Sequence, residues 1–113
     1  MDKLYERGLL FDFYGELLTE HQQKIYSEAV FNDMSLSELS EEEGISRQGI
    51  HDLIKRVDRQ LEGYENKLKL VEKFKDIKKD VLSVEKLIDD CNNLEADKAK
   101  SIKDILSGVL DKL

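Results

Sequence analysis

The chain has 113 residues, of which 40% are hydrophobic and 38% are charged; it carries a net charge of −7 at pH 7, a single cysteine and no proline. This composition is too apolar for a disordered chain and too charged for a membrane protein, and no apolar run approaches the roughly 20 residues that span a bilayer. We therefore expect an all-α, cytoplasmic protein built from one domain, or from a small domain with an appended arm.

The first predicted helix runs from Leu4 to Tyr14, where apolar residues recur three and four positions apart. We expect a break near Gly15, because glycine is a poor helix former. A second helix is expected to begin after Thr19, which forms a capping-box pattern with Gln22, and to end at the turn of residues 32–33.

Residues 35–55, SLSELSEEEGISRQGIHDLIK, have the pattern of two short helices joined by a tight turn. Ser35 and Glu38 form a capping box at the start of the first helix, Gly44 ends it, and Ser46 caps the second. This is the pattern of a helix-turn-helix, in which the N-terminal part of the second helix enters the major groove. The residues expected to face bases and phosphates are Arg47, Gln48, His51, Lys55, Arg56 and Arg59. An ordinary helical hairpin within a bundle is the alternative interpretation.

Charge is unevenly distributed along the chain. Residues 46–79 contain 10 basic and 6 acidic side chains, whereas residues 1–45 contain 3 and 11, and residues 80–113 contain 5 and 8. A phosphate-containing partner is therefore expected to bind the middle segment, while the acidic remainder repels nonspecific contacts. The alternative for the lysine run at residues 67–79 is a solvated helix surface, paired with neighbouring carboxylates.

Apolar positions continue at spacings of three and four from Ile54 to Val71, as in the a/d stripe of a coiled coil. The recognition helix is therefore predicted to run to about Phe74, or to break at Gly63. This stripe extends beyond what the preceding helices are expected to cover, so a partner chain is needed. The sequence thus predicts a homodimer whose interface contains Leu61, Tyr64 and Leu68.

The remaining chain is predicted to form further helices, with one segment around residues 77–88, a turn at residues 92–93 and a terminal amphipathic helix containing residues 102–110. Two parts result. Residues 1–62 form the predicted helix-turn-helix head, and residues 63–113 form a helical C-terminal arm that packs on the head or on a partner chain.

Sequence motifs of enzymes are absent from the chain, including a glycine-rich phosphate loop, H-E-x-x-H, C-x-x-C and G-x-S-x-G. The acidic run of Glu41, Glu42 and Glu43 occupies consecutive helical positions, whose side chains point in different directions and cannot together hold one metal ion. We therefore expect a binding protein that is not an enzyme and that uses no metal or other cofactor.

Two resemblances add to this interpretation. Residues 17–68 resemble region 4 of bacterial sigma factors, in which a helix-turn-helix follows a leading helix. More specifically, DFYGELLT at residues 12–19 and GISRQGI at residues 44–50 resemble the YlxM family, and the similarity extends over residues 1 to about 75. Gly49 is a departure, since the family often has alanine there, and glycine in a first turn loosens a helix by up to about 1 kcal/mol.

The resemblance to the YlxM family implies a small bacterial cytoplasmic protein, associated through gene neighbourhood with the signal recognition particle and regarded as an accessory or regulatory factor. It implies no catalytic residues. The implied partners are the particle's RNA, its GTPase protein or both. Carried over by position, Ser46, Arg47 and Gln48 match the start of the family's recognition helix, with Lys55, Arg56 and Arg59 behind them.

Two other functions fit the same sequence. A DNA-binding transcription regulator would use the same arginines, but its dimer would have to present two recognition helices roughly 34 Å apart. A protein adaptor would instead use the acidic N-terminal side chains, which are Asp2, Glu6, Asp12, Glu16 and Glu20.

Overall fold

A computed structural model describes residues 3–112 of the chain, and every regular element in that range is helical. The elements are α1 (Lys3–Tyr14), a 3₁₀ turn (Gly15–Leu17), α2 (Glu20–Tyr26), which continues as a π-helical turn (Ser27–Phe31), α3 (Leu36–Glu43), α4 (Arg47–Leu68), α5 (Leu70–Asp89) and α6 (Ala96–Asp111). The all-α prediction is confirmed. None of the described helices is both long and apolar enough to cross a bilayer.

The predicted capping residues begin α2 and α3 in the structure. Thr19 Oγ1 accepts a hydrogen bond of 3.1 Å from the Gln22 amide, and Gln22 Oε1 accepts one of 3.0 Å from the Thr19 amide. Ser35 and Glu38 make the same reciprocal pair. Each pair satisfies two amide groups that have no partner within the helix, so these short helices begin at fixed residues.

The core is built around α4, against which α1, α2 and α3 all pack. One cluster contains Tyr14, Leu18, Tyr26, Val57, Leu61 and Val71, and a second contains Ile25, Leu39 and Ile50. Helix α4 contributes to both clusters because Ile50, Val57 and Leu61 recur on one side of it and are fully buried. The position of α4 is therefore fixed by three other helices.

Asp58 on α4 joins two N-terminal helices through hydrogen bonds. Arg7 Nη2 donates to Asp58 Oδ2 at 2.6 Å, and Tyr26 Oη donates to Asp58 Oδ1 at 2.5 Å. Burial, and then the hydrogen bond to Asp58, raise the pKa of Tyr26 above its ordinary value. The phenol therefore remains protonated and serves as the donor.

Helix α4 ends at Leu68, so the predictions of a break at Gly63 and of continuation to Phe74 are both wrong. Lys69 has a left-handed backbone, with φ 57, and α5 starts at the next residue. The Leu70 amide donates to Tyr14 Oη at 3.1 Å, and the Val71 amide donates to Glu65 Oε1 at 3.0 Å. These side chains satisfy the first amides of α5, which stabilises the interruption.

The chain divides into two compact units, a first that ends at Val71 and a second that begins at Glu72. The first unit thus extends beyond the predicted boundary at residue 62, because the turn at Lys69 returns Val71 to the same core as Tyr14. The second unit contains α6 and α5 from Glu72 onward.

The structure corrects the prediction that a partner chain covers Leu61. Leu61 is 0% exposed, because Tyr14, Tyr26 and Val71 surround it within the first unit. Tyr64 is half-buried, with its ring centroid 5.9 Å from that of Tyr14. Only Leu68 of the three residues is largely exposed, at 48%. Leu61 is therefore not available to a partner chain, and the homodimer itself stays a prediction.

Candidate nucleic-acid interface

The turn between α3 and α4 is short, and hydrogen bonds of residues on either side of it fix its conformation. Gly44 adopts the left-handed conformation that ends α3, with φ 67, and Ser40 Oγ donates to the Ile45 carbonyl oxygen at 2.6 Å. Ser46 Oγ then accepts from the Gly49 amide at 3.0 Å and begins α4. Ile45 packs on the cluster of Leu39 and Ile50. These contacts give α3 and α4 the connection of a helix-turn-helix.

The six side chains predicted to face a nucleic acid, Arg47, Gln48, His51, Lys55, Arg56 and Arg59, are all exposed on α4. At about 100° per residue, Gln48, Lys55, Arg56 and Arg59 fall on the side opposite the buried residues of this helix. Arg47 and His51 lie at its edge. The helix therefore presents these groups together, and their role in binding stays a prediction.

The charges on this surface are available to a ligand. Among residues 3–112, no ion pair or side-chain hydrogen bond engages Arg47, Lys55, Arg56 or Arg59. Lys24, a basic residue elsewhere in the first unit, is by contrast engaged, since its Nζ lies 3.1 Å from Glu43 Oε1. An anionic ligand could therefore approach α4 without first breaking an internal ion pair.

The sequence analysis overlooked Asp52, an acidic residue on the same surface. Gln48 Nε2 donates to Asp52 Oδ1 at 2.9 Å, and His51 Nδ1 lies 3.9 Å from the same oxygen. The spacing of four between Gln48 and Asp52 is a signal in the sequence that could have indicated this pair. A ligand that uses the Gln48 amide must compete with Asp52, which disfavours phosphate close to the first turn.

Gly49 is required by the packing of the turn. A Cβ atom at this position would lie 2.7 Å from Ile45 Cγ2 and 3.1 Å from Ser46 Oγ. Ile45 is β-branched and half-buried, so its methyl group cannot simply rotate away. In this chain glycine therefore lets Ile45 pack closely on the start of α4, which offsets its poor helix propensity.

We expect Gly49→Ala to lower the free energy of unfolding by about 1 kcal/mol, because the added methyl group displaces Ile45. Gly63→Ala is the matched control in the same helix, since a Cβ there has no atom within 4 Å. It should raise stability by up to about 1 kcal/mol through helix propensity alone. Urea denaturation monitored by circular dichroism measures the free energy of unfolding of both variants. An equal increase in stability at the two positions would contradict the close contact at Gly49.

The other predicted surfaces are less distinctive. Asp12, Glu16 and Glu20 of the acidic N-terminal set are exposed and Glu6 is half-buried, while Asp2 lies outside the described residues. Within residues 3–112, no group of three or more metal-ligating side chains could hold a metal ion. The exposed side of α4 is thus the best-defined candidate site in the first unit.

Comparison with known proteins supports the helix-turn-helix. Residues 1–105 match the model of a family named UPF0122 and described as "Putative helix-turn-helix protein, YlxM / p13 like". The chain is 45% identical over 105 residues to a UPF0122 protein of Acetivibrio thermocellus, with 91% of this chain and 90% of that protein aligned. It is 38% identical over 113 residues to one of Desulforamulus reducens, covering 99% and 97% of the two chains. No solved structure matches.

Proposed function

This chain belongs to the UPF0122 family of YlxM/p13-like helix-turn-helix proteins, and from that premise we propose that it is a non-enzymatic accessory protein of the signal recognition particle pathway in the cytoplasm. It binds the particle's RNA, its GTPase protein or both. In this proposal the RNA binds to the exposed side of α4.

The observation that carries this proposal is the set of unpaired basic side chains on α4, Arg47, Lys55, Arg56 and Arg59. With a net charge of −7, the chain as a whole repels polyanions, so phosphate binding has to be local. This surface supplies the local positive charge, on a helix that three others hold in place.

Helix α4 would recognise the backbone and shape of the RNA rather than the edges of its bases. The major groove of an A-form RNA helix is too narrow and deep for a protein helix to read. Loops and bulges instead expose phosphates and unstacked bases, and arginine guanidinium groups bind both. Arg56 and Arg59 lie past the first turn and make no ion pair with Asp52, whose carboxylate accepts from Gln48, so they are the side chains we expect to bind phosphates.

The proposal is tested by titrating the full chain into the particle's RNA, a random DNA duplex and the purified GTPase protein, each at two salt concentrations. We expect Arg56→Ala with Arg59→Ala to weaken RNA binding by about tenfold or more. Each lost phosphate contact should reduce the slope of log affinity against log salt by about one. Helicity should be unchanged, because both side chains are exposed.

Lys98→Ala is the control, because it removes one exposed positive charge from α6 and leaves α4 intact. RNA binding that is equal in the double variant and the wild type would remove α4 from the mechanism. Preference for the DNA duplex over the RNA would favour a transcription regulator instead. Binding to the GTPase protein alone, weakened by salt but unchanged by Arg56→Ala with Arg59→Ala, would favour an adaptor that uses the acidic N-terminal side chains.

A further inference from the structure

Helix α5 carries several lysine side chains on one of its sides. The residues that line a groove of about 390 Å³ there are Lys75, Lys78, Lys79, Leu82, Ser83 and Lys86. At 3.6 residues per turn, the four lysines fall within about a third of the circumference of the helix. Lys75 is half-buried, whereas the other three are exposed. We call Lys78, Lys79 and Lys86 the lysine stripe.

The lysine stripe is not neutralised by carboxylates of the chain. Within residues 3–112, its side chains form no ion pair and no hydrogen bond. Asp76 lies three residues before Lys79 and Asp90 four residues after Lys86, so carboxylates are close in the sequence. The order with lysine first is the weaker one for such a pair. The alternative in which neighbouring carboxylates pair the lysine run therefore does not hold for Lys78 and Lys79.

The acidic residues of α5 lie on other sides of the helix. Lys103 Nζ on α6 donates to Asp89 Oδ1, and this hydrogen bond, with the charges of Asp89 and Glu85, raises the pKa of Lys103. Asp76 and Asp80 lie about 100° and 140° of rotation from the centre of the lysine stripe. Residues 72–113 contain 9 basic and 10 acidic side chains, so the positive charge is local to this side of α5.

The lysines of α5 repel one another in the free chain. Lys75 lies three residues from Lys78 and four from Lys79, spacings at which side chains of a helix are neighbours. Like charges at these spacings destabilise a helix. A ligand that carries several negative charges along a line would remove this repulsion. The arrangement therefore favours binding of a polyanion rather than stability of the free helix.

We propose that the lysine stripe is a second RNA-binding surface, which contacts the phosphate backbone of the RNA that α4 also binds. The proposal rests on RNA as the partner, although the stripe lies in the second unit and acts independently of α4. Lys79 and Lys86 are seven residues apart, which is about 10 Å along the helix axis. Lysine is a point charge on a flexible stem, so it suits successive phosphates better than base edges.

An anionic membrane is the other polyanionic surface that a lysine-rich helix could bind. Membrane-surface helices insert a broad apolar side that lies next to their lysines. In the lysine stripe, Leu82 is the single large apolar residue between the lysines. The exposed Val84 and Leu87 lie about 180° and 120° of rotation away from the stripe. The stripe is therefore better suited to a phosphate backbone than to a bilayer.

Titration of the full chain into the particle's RNA at two salt concentrations tests the proposal. Lys79→Gln with Lys86→Gln should weaken binding by about tenfold and reduce the slope of log affinity against log salt by about 1.4 to 1.8, as expected for two lost phosphate contacts. Lys79→Arg with Lys86→Arg keeps both charges and should bind like the wild type. Helicity should be unchanged in both variants, because the two positions are exposed.

Lys73→Gln with Lys98→Gln is the matched control. It removes the same charge from two exposed positions of the second unit that lie outside the lysine stripe. Because charges distant from the ligand are screened by salt, this variant should bind RNA within about twofold of the wild type. Combining the stripe variant with Arg56→Ala and Arg59→Ala should multiply the two losses, since the surfaces contact different phosphates.

Equal RNA affinities for the stripe variant and the matched control would overturn the proposal and leave binding by α4 intact. If the wild type bound no RNA, the proposed function and the lysine stripe would fall together. A loss on changing the stripe but none on changing Arg56 and Arg59 would support the stripe and remove α4. Vesicles containing phosphatidylserine provide the last comparison. Weaker binding of the stripe variant to these vesicles, with RNA binding unchanged, would assign the stripe to a membrane and overturn the proposal.

Discussion

Replacement of Leu61 by glutamate is expected to unfold the first unit rather than to dissociate a dimer. Leu61 is fully buried with Tyr14, Tyr26 and Val57, and none of these side chains offers a cation to a new carboxylate. The substitution removes a well-packed apolar side chain and also buries a charge, which together should cost more than about 4 kcal/mol. That is a large part of the roughly 5–15 kcal/mol that stabilises a typical domain.

Circular dichroism during urea denaturation measures this effect, with Leu68→Glu as the control. Leu68 lies on the same helix and is 48% exposed, so a glutamate there stays solvated and should change the free energy of unfolding by less than about 0.5 kcal/mol. If Leu61→Glu kept the wild-type stability and instead halved the mass of a dimer, the packing of Leu61 within its own chain would be refuted.

Replacement of Asp58 by alanine is expected to destabilise the first unit by about 2 to 3 kcal/mol. It leaves the Arg7 guanidinium without its carboxylate and the Tyr26 hydroxyl without its acceptor. Breaking a fully buried ion pair costs more, about 3–5 kcal/mol. The lower value applies here because the Arg7 and Asp58 side chains are 25% and 22% exposed, so water screens part of the remaining charge.

Two further variants separate the contributions at Asp58. Tyr26→Phe removes one neutral donor and should cost about 1 kcal/mol. Asp58→Asn keeps an acceptor for Tyr26 but removes the charge opposite Arg7, so its effect should fall between those of Tyr26→Phe and Asp58→Ala. Thermal or urea denaturation ranks the stabilities of the three variants. Equal midpoints for Asp58→Ala and the wild type would show that these hydrogen bonds contribute nothing to stability.

The parts of the fold that depend on nearby residues were predicted from the sequence. Ser35 and Glu38 form a reciprocal cap at the start of α3, and Ser46 accepts from an amide three residues later at the start of α4. The pattern of side chains is therefore sufficient to locate the start of each helix. The exposed positions on α4 follow from the 3.6-residue period once the apolar side is known.

The end of α4 could not be predicted in this way, because it depends on contacts between distant residues. Nothing in the local sequence at Lys69 favours a left-handed backbone, and no glycine or asparagine stands there. The turn is stabilised by the hydroxyl of Tyr14, which lies on α1. The turn also brings Val71 to the core that contains Leu61, so the first compact unit ends at Val71 rather than at the predicted residue 62.

The two acidic residues of α4 illustrate the corresponding limit for the candidate site. Counting charges gave the middle segment a positive balance but could not distinguish Asp58, which binds Arg7 and Tyr26, from Asp52, which lies beside Gln48. Which arginines stay unpaired depends on these three-dimensional partners. The positive surface of α4 exists partly because Asp58 is occupied by an arginine from another helix.

The hydrogen bonds at the start of α5 also bear on how the molecule opens. Amides in the first turn of a helix usually exchange their hydrogens with water quickly, since they have no acceptor within the helix. The Leu70 amide donates to Tyr14 and the Val71 amide to Glu65, so exchange at Leu70 requires its hydrogen bond to the Tyr14 hydroxyl to break. The exchange rate of the Leu70 amide would therefore report on movement of α1, although this amide belongs to α5.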